Sequence, residues 1–320
     1  MKYFQLGKSD LQVSEVAYGC MLIGGTWDDA PVTSDTKKQA EALVMAAMER
    51  GVNFYDHADI YCKGKSEEVF AEILKSHPGM REKILIQSKC GIKLGPPFTS
   101  YDFSYKHIMS SAEGTLRRLG VDHLDVYLLH RPDPLVEPDE VARAFSELKQ
   151  QGKVRWFGVS NHTPGQIDLL QRSLDMPIVT NQVEINICHT HLLDAGIIYN
   201  QNNPKLARNT DLIEYSRLNN ITLQAWSPLY RGYLSGRDLS KEPKNVADTA
   251  KLVKKLAIEK GTTAEAIVLA WLLHHPAKIQ VIPGVTNVQR LQNCCPQTPV
   301  SLTRDEWYQL YTAGRGEGLP

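Results

Sequence analysis

The chain has no C-x-x-C pair; its six cysteines, Cys20, Cys62, Cys90, Cys188, Cys294 and Cys295, are scattered over 320 residues. That spacing reads as reduced thiols, not as a disulfide framework or a zinc site, and the vicinal pair Cys294 and Cys295 reads as structural. Net charge is missing too: 36 Lys plus Arg face 36 Asp plus Glu. Without a basic or acidic surplus, a nucleic-acid or anionic-membrane surface is not the expected business of the protein. No apolar run approaches the roughly 18 to 20 residues of a membrane span, and the opening MKYFQLGKSD lacks the apolar stretch of a secretory signal. The expectation is a cytoplasmic protein that acts on small uncharged or mildly polar molecules. Phosphate loops are absent as well. Gly19-Cys20-Met21-Leu22-Ile23-Gly24-Gly25 is not G-x-G-x-x-G, and Gly64-Lys65-Ser66 has Asp59 where a Walker A loop needs its first glycine. His189 with His191, and His274 with His275, find no third convergent ligand, so no metal is expected. No long Pro/Gly/Ser-rich linker divides the chain, which reads as one domain over residues 1–320.

What is present is an alternation of strands and helices. Short β-branched or apolar runs bounded by turns predict strands at Val13–Cys20, Val52–Asp56, Ile84–Lys89, Val126–His130, Trp156–Ser160, Val179–Glu184, Thr222–Trp226 and Ile279–Pro283. Between them lie amphipathic segments. Ala40, Leu43, Val44 and Ala47 share one helical face that stops at Gly51; Ser66 is the expected cap of the next helix. Ile108, Ala112, Leu116 and Leu119 precede Gly120, and Val141, Phe145 and Leu148 precede Gly152. Thr163, Pro164 and Gln166 spell a capping box, and Thr262 with Glu265 repeats that signature. Eight strands alternating with helices predict a (β/α)₈ TIM barrel, with an open doubly wound sheet as the alternative. The opening YFQLGKSDLQVS reads as a β-hairpin that turns at Gly7 to Asp10 and plugs the barrel bottom.

In such a barrel the reactive groups gather at the carboxyl ends of the strands. There the sequence offers Asp56, Lys89, His130, Ser160 with Asn161, Gln182 and Trp226, and the loop after the second strand adds His57, Asp59 and Tyr61. Any one of these alone would read as structural. Together, an acid, a lysine, a tyrosine and a histidine at adjacent strand ends form a set in which the ammonium can lower the phenol pKa.

These residues sit in FYDHADIY, SKCGI, YLLHRPDP, GVSN, TNQVEIN, AWSPL and VIPGVTN, whose order and spacing resemble the aldo-keto reductase superfamily over nearly the whole chain. The bacterial branch that combines HADIY, SKCGI and LLxHRPDP is the most similar. The resemblance implies a catalytic tetrad of Asp56, Tyr61, Lys89 and His130, with Tyr61 as general acid or base, Lys89 tuning it, Asp56 holding Lys89 and His130 polarising a carbonyl. It implies Ser160, Asn161 and Gln182 on the amide of a nicotinamide cofactor and Trp226 stacked on its ring. Ser227, Leu229 and Gly232 would cover the pyrophosphate, and Gly284, Thr286 and Arg290 would approach the adenosine phosphate. Gly284 and Val285 stand where many members carry Lys and Ser, and Asn293-Cys294 replaces Glu-Asn. The cofactor expected is NADP(H), with NAD(H) also open. Trp27, Tyr230 and Tyr233 are candidates for an aromatic substrate pocket that favours small aldehydes, ketones or sugars. Two other functions fit parts of this pattern: a Schiff-base lyase or aldolase using Lys89, and a non-catalytic, cofactor-sensing regulatory subunit. Oligomeric state is not legible from composition.

Overall fold

The computed structural model describes residues 1–95, 98–199, 201 and 211–320. The chain opens with the antiparallel strands β1 (Tyr3–Gln5) and β2 (Gln12–Ser14), then runs through β3 (Tyr18–Gly19), α1 (Ser34–Glu49), β4 (Phe54–Asp56), α2 (Lys65–Ser76) and β5 (Leu85–Cys90). A small hairpin of β6 (Ile92–Lys93) and β7 (Ser100–Tyr101) follows, then α3 (Tyr105–Leu119), β8 (Leu124–Leu129), α4 (Pro138–Gln150), β9 (Val154–Ser160), α5 (Pro164–Gln171) and β10 (Ile178–Glu184). The last part holds α6 (His191–Ile198), α7 (Leu212–Asn219), β11 (Thr222–Trp226), α8 (Lys244–Glu259), α9 (Ala264–Leu273), β12 (Gln280–Ile282), α10 (Val288–Cys294) and α11 (Arg304–Arg315).

Eight of these strands form one sheet in the order β3-β4-β5-β8-β9-β10-β11-β12, every neighbouring pair parallel. Its two edges meet. Val16 bridges Val281, Ala17 N donates to Val281 O at 2.8 Å, Val281 N to Glu15 O at 3.0 Å and Gly19 N to Pro283 O at 3.1 Å. Closure leaves no unpaired edge, and the result is the expected (β/α)₈ barrel. The strands are buried on both faces, as a parallel sheet under helices requires. On β8, Val126 and Leu128 point inward to one apolar cluster while Tyr127 and Leu129 point outward to the larger one beneath the helices.

The hairpin does plug the bottom. Leu6, Leu11 and Val13 join Phe54, Val126, Leu128, Val179 and Ile282 in the inner cluster, each at most 5% exposed. Burying each hairpin side chain contributes about 1.5–3 kcal/mol. Gly7 cannot be replaced there: its φ is +50° and a Cβ would stand 2.2 Å from Val179 O.

Several local expectations need correction. The run Val13–Cys20 is not one strand; Gln12–Ser14 pairs with β1, and only Tyr18–Gly19 enters the barrel beside β4. Ser66 is not a helix cap, because α2 starts after Gly64 in the left-handed region, and Ser66 Oγ donates to Met21 O at 3.0 Å. The cap of α9 is Thr263 rather than Thr262, and Glu265 pairs with Arg290 instead of closing a capping box. The box at Thr163 forms as expected. Among the described residues no helix is long and apolar enough to cross a membrane, and no group of three potential ligands could hold a metal ion.

Candidate active site

Strand alternation carries Asp56, two residues after inward-facing Phe54, and Lys89, two after Gln87, into the upper interior of the barrel. His130 follows β8, its N–H donating to Cys90 O. Tyr61 reaches the same point from a 3-10 turn, Tyr61–Gly64, that doubles back after β4. The turn holds Cys62 at φ 48° and Lys63 at φ 59°. Two consecutive side-chain-bearing residues in that region cost roughly 1–2 kcal/mol each. The loop after β3 holds the turn in place: Cys62 Sγ donates to Met21 O and Gly25 O at 3.2 and 3.3 Å.

The Lys89 ammonium is wholly buried and donates three hydrogen bonds: to Asp56 Oδ2 at 2.8 Å, to His57 O at 2.7 Å and to Tyr61 Oη at 2.9 Å. Burial works against its charge, but Asp56 and Tyr61 outweigh burial and hold Lys89 above its ordinary value. Tyr61 Oη accepts from Lys89, so its own proton is committed to no described acceptor. The ring of His130 stands edge-on to Tyr61, with centroids 5.9 Å apart. Burial, then Lys89 and Arg131, hold that imidazole well below its ordinary value, so it is neutral at neutral pH. A neutral imidazole keeps one N–H to donate.

One electrostatic expectation is reversed. Lys89 does pull the Tyr61 phenol down, but burial pushes it up by more, and Asp56 adds to the push. The carboxylate that holds the cation also opposes a phenolate beside it. The phenol is therefore protonated at neutral pH, the state that a proton donor needs.

Ser160, Asn161, Gln182 and Trp226 come together on the neighbouring strand ends. Ser160 Oγ donates to Gln182 O at 2.9 Å, Asn161 Nδ2 to Ser160 Oγ at 2.8 Å, and Trp226 Nε1 to Asn161 Oδ1 at 3.0 Å. Trp226 is half-buried, belongs to neither apolar cluster and carries the Arg131 guanidinium 5.6 Å from its ring centroid. Past it, Ser227, Tyr230 and Arg231 take positive φ values of 52°, 46° and 53°, while Leu229 is buried. Gly232 lies against Arg290: a Cβ there would be 3.2 Å from the guanidinium. Arg290, at the start of α10, also donates to Glu265 Oε1 at 3.1 Å and to Ser235 Oγ at 2.5 Å, so one cation joins the 229–235 loop, α9 and α10. Gly284 packs on Gly19, and Thr286 O accepts from Gln39 Nε2 at 2.6 Å. Tyr230 and Tyr233 contact each other at 5.8 Å. Trp27 is 39% exposed on the loop between β3 and α1, and among the described residues no ring contact joins it to that pair.

Arg131, Ser235 and three interior glutamines, Gln87, Gln224 and Gln280, join the site with no role expected from the sequence, and Glu265, expected only as a capping residue, joins it through Arg290. A signal existed for Gln87, which stands two residues before Lys89 and so shares its face of the strand.

Comparison with known proteins gives this geometry its relatives. The Aldo/keto reductase family model matches residues 15–313. The 6-dehydroglucose reductase of Agrobacterium fabrum (strain C58) is 34% identical over 314 residues, 96% of this chain and 96% of that protein. A probable voltage-gated potassium channel subunit beta of Arabidopsis thaliana is 27% identical over 317 residues, 91% of this chain and 89% of that protein. Among solved structures, the thermostable aldo-keto reductase Tm1743, determined with the inhibitor epalrestat, superposes with a TM-score of 0.76 at 28% identity, covering 98% of this chain and 100% of that one. With the barrel closed, the four side chains assembled at its mouth and the family model spanning nearly its whole length, this chain belongs to the aldo/keto reductase family.

Proposed function

We propose that this chain is an NADPH-preferring oxidoreductase that reduces small aldehydes, ketones or keto-sugars to alcohols, or runs the reverse reaction, with Tyr61 as the proton donor or acceptor. One observation carries the reading: all three protons of Lys89 are engaged, one of them on Tyr61 Oη, so the phenol proton is free for a substrate oxygen. The same observation disfavours a Schiff-base enzyme, because a buried ammonium held by Asp56 has no lone pair for a carbonyl carbon. A nicotinamide cofactor bound beside Trp226 would supply the hydride. The residues present fit such a group. Gln182 Nε2 is engaged by Asp56 and Gln224, which leaves its Oε1 for a carboxamide N–H, and Trp226 presents a half-buried ring face. Tyr61 gives its proton to the carbonyl oxygen, and neutral His130 donates a hydrogen bond to the same oxygen. Lys89 then stabilises the phenolate left behind.

The test is a panel of aldehydes, ketoses and sugar alcohols, with the 6-oxidised glucose of the Agrobacterium relative included, assayed by nicotinamide absorbance with both cofactors. Turnover with none of them, alongside tight cofactor binding, would favour the regulatory-subunit alternative. Trp226→Ala should weaken cofactor binding and lower turnover while leaving the thermal unfolding curve in place, since the ring packs in no core cluster; a collapsed melting temperature would mark it as structural. Arg290→Ala should remove a charge-assisted contact worth roughly 1.5–3 kcal/mol to a 2′-phosphate. Titration of tryptophan fluorescence should show the NADPH dissociation constant rising about tenfold or more with little change for NADH. Equal losses for both cofactors would remove Arg290 from the phosphate site.

A further inference from the structure

Directly beneath the tetrad the barrel interior is filled with amides. Gln87 on β5, Gln182 on β10, Gln224 on β11 and Gln280 on β12 are each 3% exposed or less. They form one connected chain. Gln280 Nε2 donates to Ser14 O at 2.8 Å, Gln224 Nε2 to Gln280 Oε1 at 2.8 Å, and Gln87 Nε2 to both Gln224 Oε1 at 3.0 Å and Asp56 Oδ1 at 2.6 Å. Gln182 Nε2 makes the same two contacts, at 3.4 and 3.0 Å.

The direction of this chain is set at its far end. A backbone carbonyl only accepts, so Ser14 O requires the NH₂ of Gln280, whose carbonyl then requires the NH₂ of Gln224. The Gln224 carbonyl in turn requires the NH₂ groups of Gln87 and Gln182, and both of those face Asp56. Turning Gln87 over would set its oxygen against Asp56 Oδ1 and Gln224 Oε1 at once. It does not turn, although its own Oε1 is left buried without a partner. An orphaned acceptor beneath a reactive carboxylate marks a group whose orientation is held from outside.

We propose that Gln87, oriented through Gln224 and Gln280 by the Ser14 carbonyl, is a positioning residue that fixes the Asp56 carboxylate and, through it, the Lys89 ammonium for proton transfer at Tyr61. This rests on the reductase reading of the site. With Oδ1 taken by amide donors, Oδ2 is the oxygen presented to Lys89, and the donors offset part of the charge that Asp56 projects onto the phenol. The titratable and charged groups facing Tyr61 are Lys89 from β5, Asp56 from β4, His130 after β8 and Cys20 after β3; those facing Asp56 are Lys89, Tyr61 and Cys20. His57, Asp59 and Arg131 stand behind them, His57 and Asp59 against Lys89 and Arg131 against His130, and burial pushes the Asp59 carboxyl up to about 7. Gln87→Met keeps all of these and removes only the donor. More of the Asp56 charge then reaches Tyr61, which disfavours the phenolate.

The experiment uses the full chain labelled with [¹³Cζ]tyrosine, Tyr61→Phe serving to assign the resonance. In Gln87→Met the Tyr61 resonance should move at neutral pH. The alkaline limb of kcat for carbonyl reduction should shift upward by about half a pH unit or more, with the NADPH dissociation constant unchanged. Gln280→Met, which touches neither Asp56 nor Lys89, should shift both readouts in the same direction by a smaller amount, and it carries the test if Gln87→Met does not fold. A Tyr61 resonance and a pH profile that superimpose on wild type in the folded variants would overturn the proposal, even if kcat fell. A resonance that moves in a protein with no nicotinamide-dependent turnover would support the amide relay and overturn the reductase reading instead.

Discussion

Tyr61→Phe should lower NADPH-dependent carbonyl reduction by at least ~100-fold, the low end of general acid catalysis, while cofactor binding survives. The substitution removes one hydroxyl and keeps the ring that stands edge-on to His130. It also leaves one of the three Lys89 protons without its acceptor, but Asp56 and the His57 carbonyl still hold the ammonium. Because burial holds the phenol above its ordinary value, wild-type reduction should show no loss of the proton donor near neutral pH, and its alkaline limb should be absent from the variant. Steady-state rates across pH together with cofactor titration check both parts. A variant that retains more than a tenth of wild-type kcat would remove Tyr61 from the role of donor.

Lys89→Met should cost both activity and stability. Reduction should fall to a similar degree, since the phenolate formed on proton transfer has lost its cation. The stability effect follows from burial. Asp56 is 3% exposed, and without Lys89 its carboxylate keeps, among the described residues, only the amide donors of Gln87 and Gln182. Removing one partner of a buried ion pair costs about 3–5 kcal/mol. Adding Asp56→Asn to Lys89→Met should recover much of the loss in calorimetry, though none of the activity. Borohydride treatment with substrate should yield no adduct at Lys89 in the wild-type chain; an adduct formed there together with cofactor-independent turnover would replace the reductase reading with lysine chemistry.

Much of the fold was legible because its signals are local. Short apolar or β-branched runs bounded by turn residues mark seven of the barrel strands to within two residues, and Thr222–Trp226 matches its prediction at both ends. The failures were local competitions resolved from a distance. Ser66 has the chemistry of a cap, but the loop after β3 offers it the Met21 carbonyl, and the left-handed Gly64 starts the helix instead. The run Val13–Cys20 reads as one apolar strand, yet the hairpin takes its first part because β1 is adjacent, and the barrel takes its end because closure needs a partner for β12.

Which chemical groups stand at the strand ends is written in the sequence, since a residue's face and its place along a strand follow from counting along the chain. Asp56, Lys89 and His130 are legible in that way, and so is the hairpin that closes the bottom. The balance among these groups was decided by the tertiary structure alone. Whether Tyr61 is lowered by Lys89 or raised by burial depends on how completely water is excluded and on Asp56 standing behind the cation, and neither is a property of spacing. The same holds for the amide chain from Ser14 to Asp56, whose hydrogen bonds span as many as 266 residues of sequence. Desolvation and hydrogen-bond direction depend on distances across the barrel, and those exist only once the eighth strand has met the first.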